Sequence, residues 1–254
     1  MIKLLNGDTW GREEILAQMY DDEFYYGHLG KYCLSSSSLK TVLKSPKTYR
    51  NIIKYGSNLD SPALRLGSLL HWMILEPSVI NKKVFVDSTT RTTKAFKEAL
   101  SEHGEVYLKS ERSAAERLAD ALLRNEEALR CLNKAEFEVP EIAMMQGLPF
   151  RGKADILKED CIIDLKTTQD LNSFKWSADK FGYDLQAWMY CKMFNKEKFT
   201  FLVIDKGSCD IGIFETSKEF LSKGKQKFNQ AVSNYKYFFE QNNDLDQYVL
   251  RGLL

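Results

Sequence analysis

Cysteine is scarce and unpaired in this 254-residue chain, with five residues scattered from Cys33 through Cys131, Cys161 and Cys191 to Cys209. None forms a C-x-x-C pair or has a histidine at zinc spacing, which argues against a zinc ribbon and a four-cysteine iron–sulfur cluster and leaves reduced core residues. No run of 18 or more apolar residues is present, and the N-terminus has neither a basic nor an apolar leader region. No membrane span or secretory signal is therefore expected, and a soluble, intracellular protein is. Charge of one sign is missing as well: 36 Lys plus Arg against 35 Asp plus Glu leave +1, so no overall field points to a nucleic acid partner. Repeats and obvious linkers are also absent, and the length fits one domain.

What charge there is falls unevenly. From Phe24 to Leu59 there is no acidic residue, while Lys31, Lys40, Lys44, Lys47, Arg50 and Lys54 are basic. Lys40, Lys44 and Lys47 recur at helical spacing, with Tyr32, Tyr49 and Tyr55 interleaved. A solvated helix face would look the same; beside a metal motif the stretch reads as a tract for DNA phosphates.

Such a motif lies further on. Gly152-Lys153-Ala154-Asp155 is followed by a turn at Lys158-Glu159-Asp160 and by Ile162-Ile163-Asp164-Leu165-Lys166-Thr167-Thr168. A hairpin closed around Glu159-Asp160 sets Asp155 opposite Asp164 and Lys153 opposite Lys166, all on one face. Directly opposed residues have Cβ atoms roughly 5 Å apart, and two carboxylates there destabilise a sheet unless neutralised. A hard divalent cation such as magnesium suits oxygen donors and leaves positions for water and phosphate. With a lysine beside it, the set points to phosphodiester hydrolysis. Asp-x-Lys alone occurs by chance; the register-matched second carboxylate makes it specific.

Periodicity predicts helices over Gly11–Tyr20, from the serine cluster Ser35–Ser38 to Lys44, from Pro46, over Pro62–Leu75 and over Thr93–His103 and Ser113–Leu123. The period then shifts towards two in Glu136–Gln146, Leu148–Leu157 and Cys161–Lys166, a meander. A helix over Tyr183–Asn195, strands over Phe199–Ile204 and Cys209–Phe214 and a long helix from Ser217 follow. The fold class expected is α/β, a central mixed β-sheet flanked by helices.

Several residues are candidates to complete a site. Glu141 precedes the Asp155 strand, but its register is open: a two-residue Gln146-Gly147 turn puts it opposite Gly152 on the wrong face, and a bulge puts it opposite Lys153. Glu138 is the alternative. His71 lies on an apolar helix, one turn after Gly67, where a missing side chain permits close backbone approach. Gln186 and Tyr190 share a helix face. Arg151 and Lys153 lie on the Asp155 face and can meet phosphate, as can Thr167 and Thr168.

Taken together, these residues resemble the PD-(D/E)xK nuclease superfamily, and within it the exonuclease VIII (RecE-type) branch of phage and prophage recombination systems. The resemblance runs through Leu34-Ser35-Ser36-Ser37-Ser38-Leu39-Lys40, Ser45-Pro46, Gly67 with His71, Leu75-Glu76-Pro77, Glu141, Arg151 to Asp155, Asp164 to Thr168, and Gln186 with Tyr190. It implies a restriction-endonuclease-like core with Asp155, Asp164 and the Leu165 carbonyl as metal ligands, joined by His71. Lys166 is then the catalytic lysine, Glu141 the acidic residue on the preceding strand with the bulged register, and Gln186 and Tyr190 the contacts to the substrate strand. It further implies Mg²⁺ or Mn²⁺, digestion of linear duplex DNA from the 5′ end, self-association into rings, a single-strand annealing or recombinase partner, and a bacterial host. Residues 1–30 have no counterpart and read as an N-terminal extension to one nuclease domain over 31–254. The competing readings are a single-strand-directed exonuclease and a DNA-binding protein that keeps the fold without turnover.

Overall fold

The computed structural model describes residues 1–57 and 60–249; the domain end expected at residue 254 lies outside them. The chain opens with short elements. Ile2–Lys3 (β1) and Thr9–Trp10 (β2) pair antiparallel ahead of Arg12–Gln18 (α1), and a π-helical turn at Glu23–His28 runs into Leu29–Tyr32 (α2). Ser36–Lys44 (α3) begins at a capping box made of serines alone: Ser35 Oγ accepts from the Ser38 N–H, and Ser38 Oγ accepts from the Ser35 N–H. Pro46–Tyr55 (α4) and Pro62–Leu75 (α5) each start with proline behind a capping serine, Ser45 and Ser61. Pro77 stops α5 and opens Pro77–Ile80 (α6). Val84–Val86 (β3), Lys94–His103 (α7), Val106–Leu108 (β4), Lys109–Arg124 (α8) and Glu126–Leu132 (α9) complete this half, with β3 and β4 parallel.

The second half builds the sheet. Glu136–Met145 (β5), Leu148–Leu157 (β6) and Cys161–Thr168 (β7) form the expected meander. Phe174–Lys180 (α10) and Tyr183–Met193 (α11) then cross over to Lys198–Asp205 (β8), parallel to β7, and Ile211–Glu215 (β9) closes the five-stranded order β5-β6-β7-β8-β9 before Lys218–Tyr235 (α12). The mixed sheet flanked by helices is as expected.

β8 is apolar on both faces because both are covered. Phe199, Phe201 and Val203 join Leu39 and Val42 of α3, Leu185 and Met189 of α11 and Phe228 of α12. On the other face Leu202 and Ile204 join Leu70 of α5, Leu118 and Leu122 of α8 and Ala128 of α9. Truncating a fully buried ring such as Phe201 to alanine is worth about 3–5 kcal/mol. Helix α12 comes so close to α11 that a Cβ at Gly224 would lie 2.0 Å from the Asp184 carbonyl oxygen. A third cluster packs Ile2, Leu4, Ile15, Met19, Tyr25 and Leu29 onto Ile142 of β5, so the N-terminal residues lie against the sheet. The thiols are all free, but only Cys33 and Cys191 are buried; Cys131, Cys161 and Cys209 are half-buried, short of the core position expected.

Two features of β6 make room for a site. At one edge it pairs with β5 in an unbroken count from Met145↔Leu148 to Glu136↔Leu157. Gln146 and Gly147, at φ +50° and +83°, form the two-residue turn that this count requires. At the other edge β6 pairs with β7 only at Ile156↔Ile163 and Leu157↔Ile162, while Leu34 bridges to Phe150 higher up. The strands therefore part at Asp155 and Asp164.

Candidate active site

The parting strands place Asp155 and Asp164 at the floor of a cleft of about 660 Å³, roofed by α5 and α11. The hairpin count expected from sequence holds at Ile156↔Ile163 and Leu157↔Ile162, but the strands part beyond them, so neither the Asp155–Asp164 nor the Lys153–Lys166 pairing forms. Asp155 Oδ2 accepts from the Leu165 N–H at 2.9 Å, and its Oδ1 lies 3.4 Å from His71 Nε2. Asp164 is 2% exposed; its Oδ1 accepts from Gln186 Nε2 at 2.7 Å, and the Lys166 ammonium stands against Oδ2. Thr167 and Leu165 also line the cleft.

The third carboxylate is Glu138, and the bulged register expected for Glu141 is corrected. Because the turn has two residues, Glu141 stands opposite Gly152, on the face away from Asp155, where both its oxygens accept from Arg12 Nη2 at 2.6 Å. Glu138 lies on the Asp155 face, and at φ +53° its backbone leaves the extended region. Its Oε1 is 3.2 Å from His71 Nε2 and is buried without a hydrogen bond.

One Nε2–H cannot serve two carboxylates. His71 Nδ1 lies 4.0 Å from Glu76 Oε2, a residue the sequence marks only within the Leu75-Glu76-Pro77 part of the resemblance, and one ligand atom from each of His71, Glu76 and Glu138 falls within 4.8 Å of the others. The donors are carboxylate oxygens and an imidazole nitrogen, and a buried carboxylate oxygen is left over; this set fits a divalent cation of the magnesium or manganese kind.

Titration follows from the crowding. Burial opposes the His71 imidazolium, but Asp155, by charge and hydrogen bond, and Glu138 outweigh it and raise its pKa to about 9. Burial, offset in part by His71 and reinforced by the Asp155 charge, raises Glu138 to about 8. Burial raises Asp164 to about 6 against the pull of Lys166. Asp155, although buried, is held below its ordinary value by His71, and Lys166, although buried, is raised by Asp164 and Asp155. Shifts of opposite sign among touching groups in one cleft mark it as a candidate functional site.

Of the residues expected to meet phosphate, few stand together. Tyr190 is 8% exposed and packs on Gly152, where a Cβ would lie 3.0 Å from its ring, and its hydroxyl accepts from the Lys153 N–H at 3.4 Å. It satisfies a donor uncovered by the parting of β6 and β7 and does not face the cleft. Lys153 is buried too: its ammonium meets Asp22 at 3.2 Å and lies 4.9 Å from the Tyr25 ring centroid. Lys40, Lys44 and Lys47 do not share a face, because α3 ends at Lys44 and Lys47 belongs to the next helix, where it pairs with Asp246. Lys44 is exposed, and Lys40 turns towards Gln186. Gly67 lines the cleft, but a Cβ there would meet nothing within 4 Å, so no backbone approaches it.

Arg151 sits elsewhere. It is 9% exposed, with Nε donating to the Leu29 carbonyl at 3.2 Å and the guanidinium 4.4 Å from the Tyr25 ring centroid, and it pairs with no carboxylate among the described residues. It lines a second cavity of about 620 Å³ that shares Tyr26 with the cleft. Lys31 and Lys54 line that cavity too, with Ser35, Ser37 and Thr41, and no acidic residue does so among the described residues.

Comparison with known proteins agrees with this geometry. Residues 35–245 match the family model described as a PDDEXK-like domain of unknown function (DUF3799). No curated protein matches the chain. Among solved structures, a candidate exonuclease from Eubacterium rectale is 16% identical with a TM-score of 0.72, covering 92% of this chain and 95% of its own. A phage-related exonuclease from Haemophilus somnus is 14% identical at TM-score 0.41, covering 85% and 100%. An alkaline exonuclease from Laribacter hongkongensis is 12% identical at TM-score 0.41, covering 87% and 95%. At these identities the likeness is one of fold, and the Eubacterium protein carries it.

Proposed function

The chain belongs to the PDDEXK-like family, and from that premise we propose that it is a metal-dependent DNA exonuclease whose active site is the cleft between β6 and β7. The observation that carries the reading is the convergence of Asp155, Asp164, Lys166, His71 and Glu138 on one cleft. His71, Glu76 and Glu138, whose ligand atoms lie within 4.8 Å of one another, and Asp155 and Asp164 of the same cleft supply the donors that would hold Mg²⁺ or Mn²⁺, with the Leu165 carbonyl as a further one. When bound, the cation supplies charge neutralisation at the scissile phosphate and lowers the pKa of a water beside it.

The chain's own residues do the rest. Lys166 is released from Asp164 Oδ2 to hold a phosphate oxygen and stabilise the charge that grows on it as water attacks in line. Gln186 keeps Asp164 Oδ1 occupied, so that Oδ2 faces the reaction. The basic second cavity and the exposed Lys44 are suited to the phosphates of the nucleic acid outside the cleft. No covalent intermediate is needed.

Digestion from the 5′ end of linear duplex, a 3′ single-stranded product for recombination, ring assembly and an annealing or recombinase partner are supported by the motif resemblance. The test is digestion of 5′-labelled and 3′-labelled linear duplexes, matched single strands and a closed circle, in Mg²⁺ and in EDTA. Loss of the 5′ label first, with the circle intact and EDTA inhibiting, is expected. Cleavage of single strands alone would replace the duplex reading, and binding without cleavage in either metal would overturn the enzyme.

A further inference from the structure

Lys40 was grouped by its spacing with lysines that meet DNA, yet its surroundings give it another task. Its methylenes pass Gly182 so closely that a Cβ there would lie 3.1 Å from Lys40 Cδ. Its ammonium ends 3.4 Å from Gln186 Oε1 and 5.6 Å from the centroid of the Tyr183 ring. Gln186 is itself 9% exposed and passes its amide nitrogen to Asp164 Oδ1 at 2.7 Å. Lys40 is not among the residues lining the cleft, whereas Gln186, Tyr183 and Asp164 are.

The chemistry of the chain runs one way. An ammonium only donates, so Gln186 must present its carbonyl oxygen to Lys40; its NH₂ then faces Asp164, which as a carboxylate only accepts. A charged donor on the amide oxygen polarises the amide and strengthens the hydrogen bond at its other end. The two oxygens of Asp164 thereby acquire separate duties: Oδ1 is tied to α11, and Oδ2 is left for Lys166 and a cation. From this geometry we infer that Lys40 is a positioning residue that acts through Gln186 to fix Asp164 for cation binding, and that it does not contact DNA. The inference rests on the cleft being the cation site proposed above. Groups beyond the direct ligands matter in this way because they set a ligand's direction, and their loss lowers metal affinity by about 10–100-fold.

Lys40→Met keeps the stem against Gly182 and Tyr183 and removes only the donor. Mn²⁺ binding is followed by the loss of the free-ion EPR signal, and DNA binding by fluorescence anisotropy of a labelled duplex in EDTA at several salt concentrations. Asp155→Asn serves as the control for the cleft. The expected result is roughly tenfold weaker Mn²⁺ binding in Lys40→Met, the low end of that range, with an unchanged duplex Kd and salt slope. Gln186→Met should reproduce the Mn²⁺ loss, and it stands in if Lys40→Met does not give a folded circular-dichroism spectrum. Unchanged Mn²⁺ binding in folded Lys40→Met, or in folded Gln186→Met where it stands in, overturns the inference. So does a salt slope lower by about one in Lys40→Met, the signature of a lost phosphate contact. Mn²⁺ binding that survives Asp155→Asn, or is absent in wild type, fails at the cleft itself and takes the inference with it.

Discussion

Two cavities lie side by side behind Tyr26 and carry opposite charge. The cleft gathers Asp22, Glu76, Glu138, Asp155 and Asp164 around His71 and Lys166, whereas its neighbour gathers Lys31, Lys54 and Arg151 without a carboxylate among the described residues. A phosphate can enter the second directly. It enters the first best with a bound cation, because the acidic groups there outnumber the cationic His71 and Lys166. Under the proposed function the two cavities divide holding the nucleic acid from cutting it, and substitutions on the two sides should have different signatures.

The largest effect is expected at Lys166. Lys166→Met should lower cleavage on the order of 10²–10³-fold, the size of a lost charge-stabilising donor, with duplex binding in EDTA preserved. Comparable loss of binding would mean that the cleft holds as well as cuts. Next comes the pair of glutamates on β5. Glu138→Gln should cost about 10–100-fold in Mn²⁺ affinity or rate, whereas Glu141→Gln, which gives up the charge paired with the exposed Arg12 and keeps an oxygen for the Ile142 N–H, should stay within about twofold of wild type. Reversal of that order would refute the two-residue register.

On the basic side, Lys31→Ala with Lys54→Ala should leave the rate at saturating DNA unchanged and reduce the slope of log K against log salt by about two. An unaltered slope would remove the second cavity from the DNA path. The smallest effect concerns protons. His71 is raised to about 9, so in EDTA its contribution to stability is whole below its unfolded value and is lost as pH rises through the folded one. The difference in urea midpoint between wild type and His71→Asn should therefore shrink between about pH 6.5 and pH 9.5. A gap that widens over that range would contradict the imidazolium–carboxylate contact.

Much of this was legible in the residues, for reasons that differ by element. Helix α5 could be bounded at both ends because Ser61-Pro62 and Glu76-Pro77 are strong local signals. The convergence of Asp155, Asp164 and Lys166 followed from counting around one acidic turn. At Glu141 the resemblance and the count disagree and the structure follows the count, because Gln146-Gly147 forms a good two-residue turn. The lysine tract misled because i, i+3 and i+4 spacing has meaning only inside one helix, and Ser45-Pro46 breaks this one. Tyr190 and Lys153 were unreadable for another reason. Their burial is caused by the parting of β6 and β7 and by the packing of residues 22–34, long-range events with no local trace. Helices α9 and α10, at seven residues each, and strand β4, at three, were too short for periodicity to mark.

The most direct test of the account is single-turnover cleavage of a linear duplex by wild type and Asp164→Ala, in Mg²⁺ and in EDTA, with duplex binding measured alongside. Cleavage by wild type in Mg²⁺ alone is expected, with none by the variant and similar binding by both. Cleavage by Asp164→Ala at the wild-type rate would show that the chemistry lies outside this cleft.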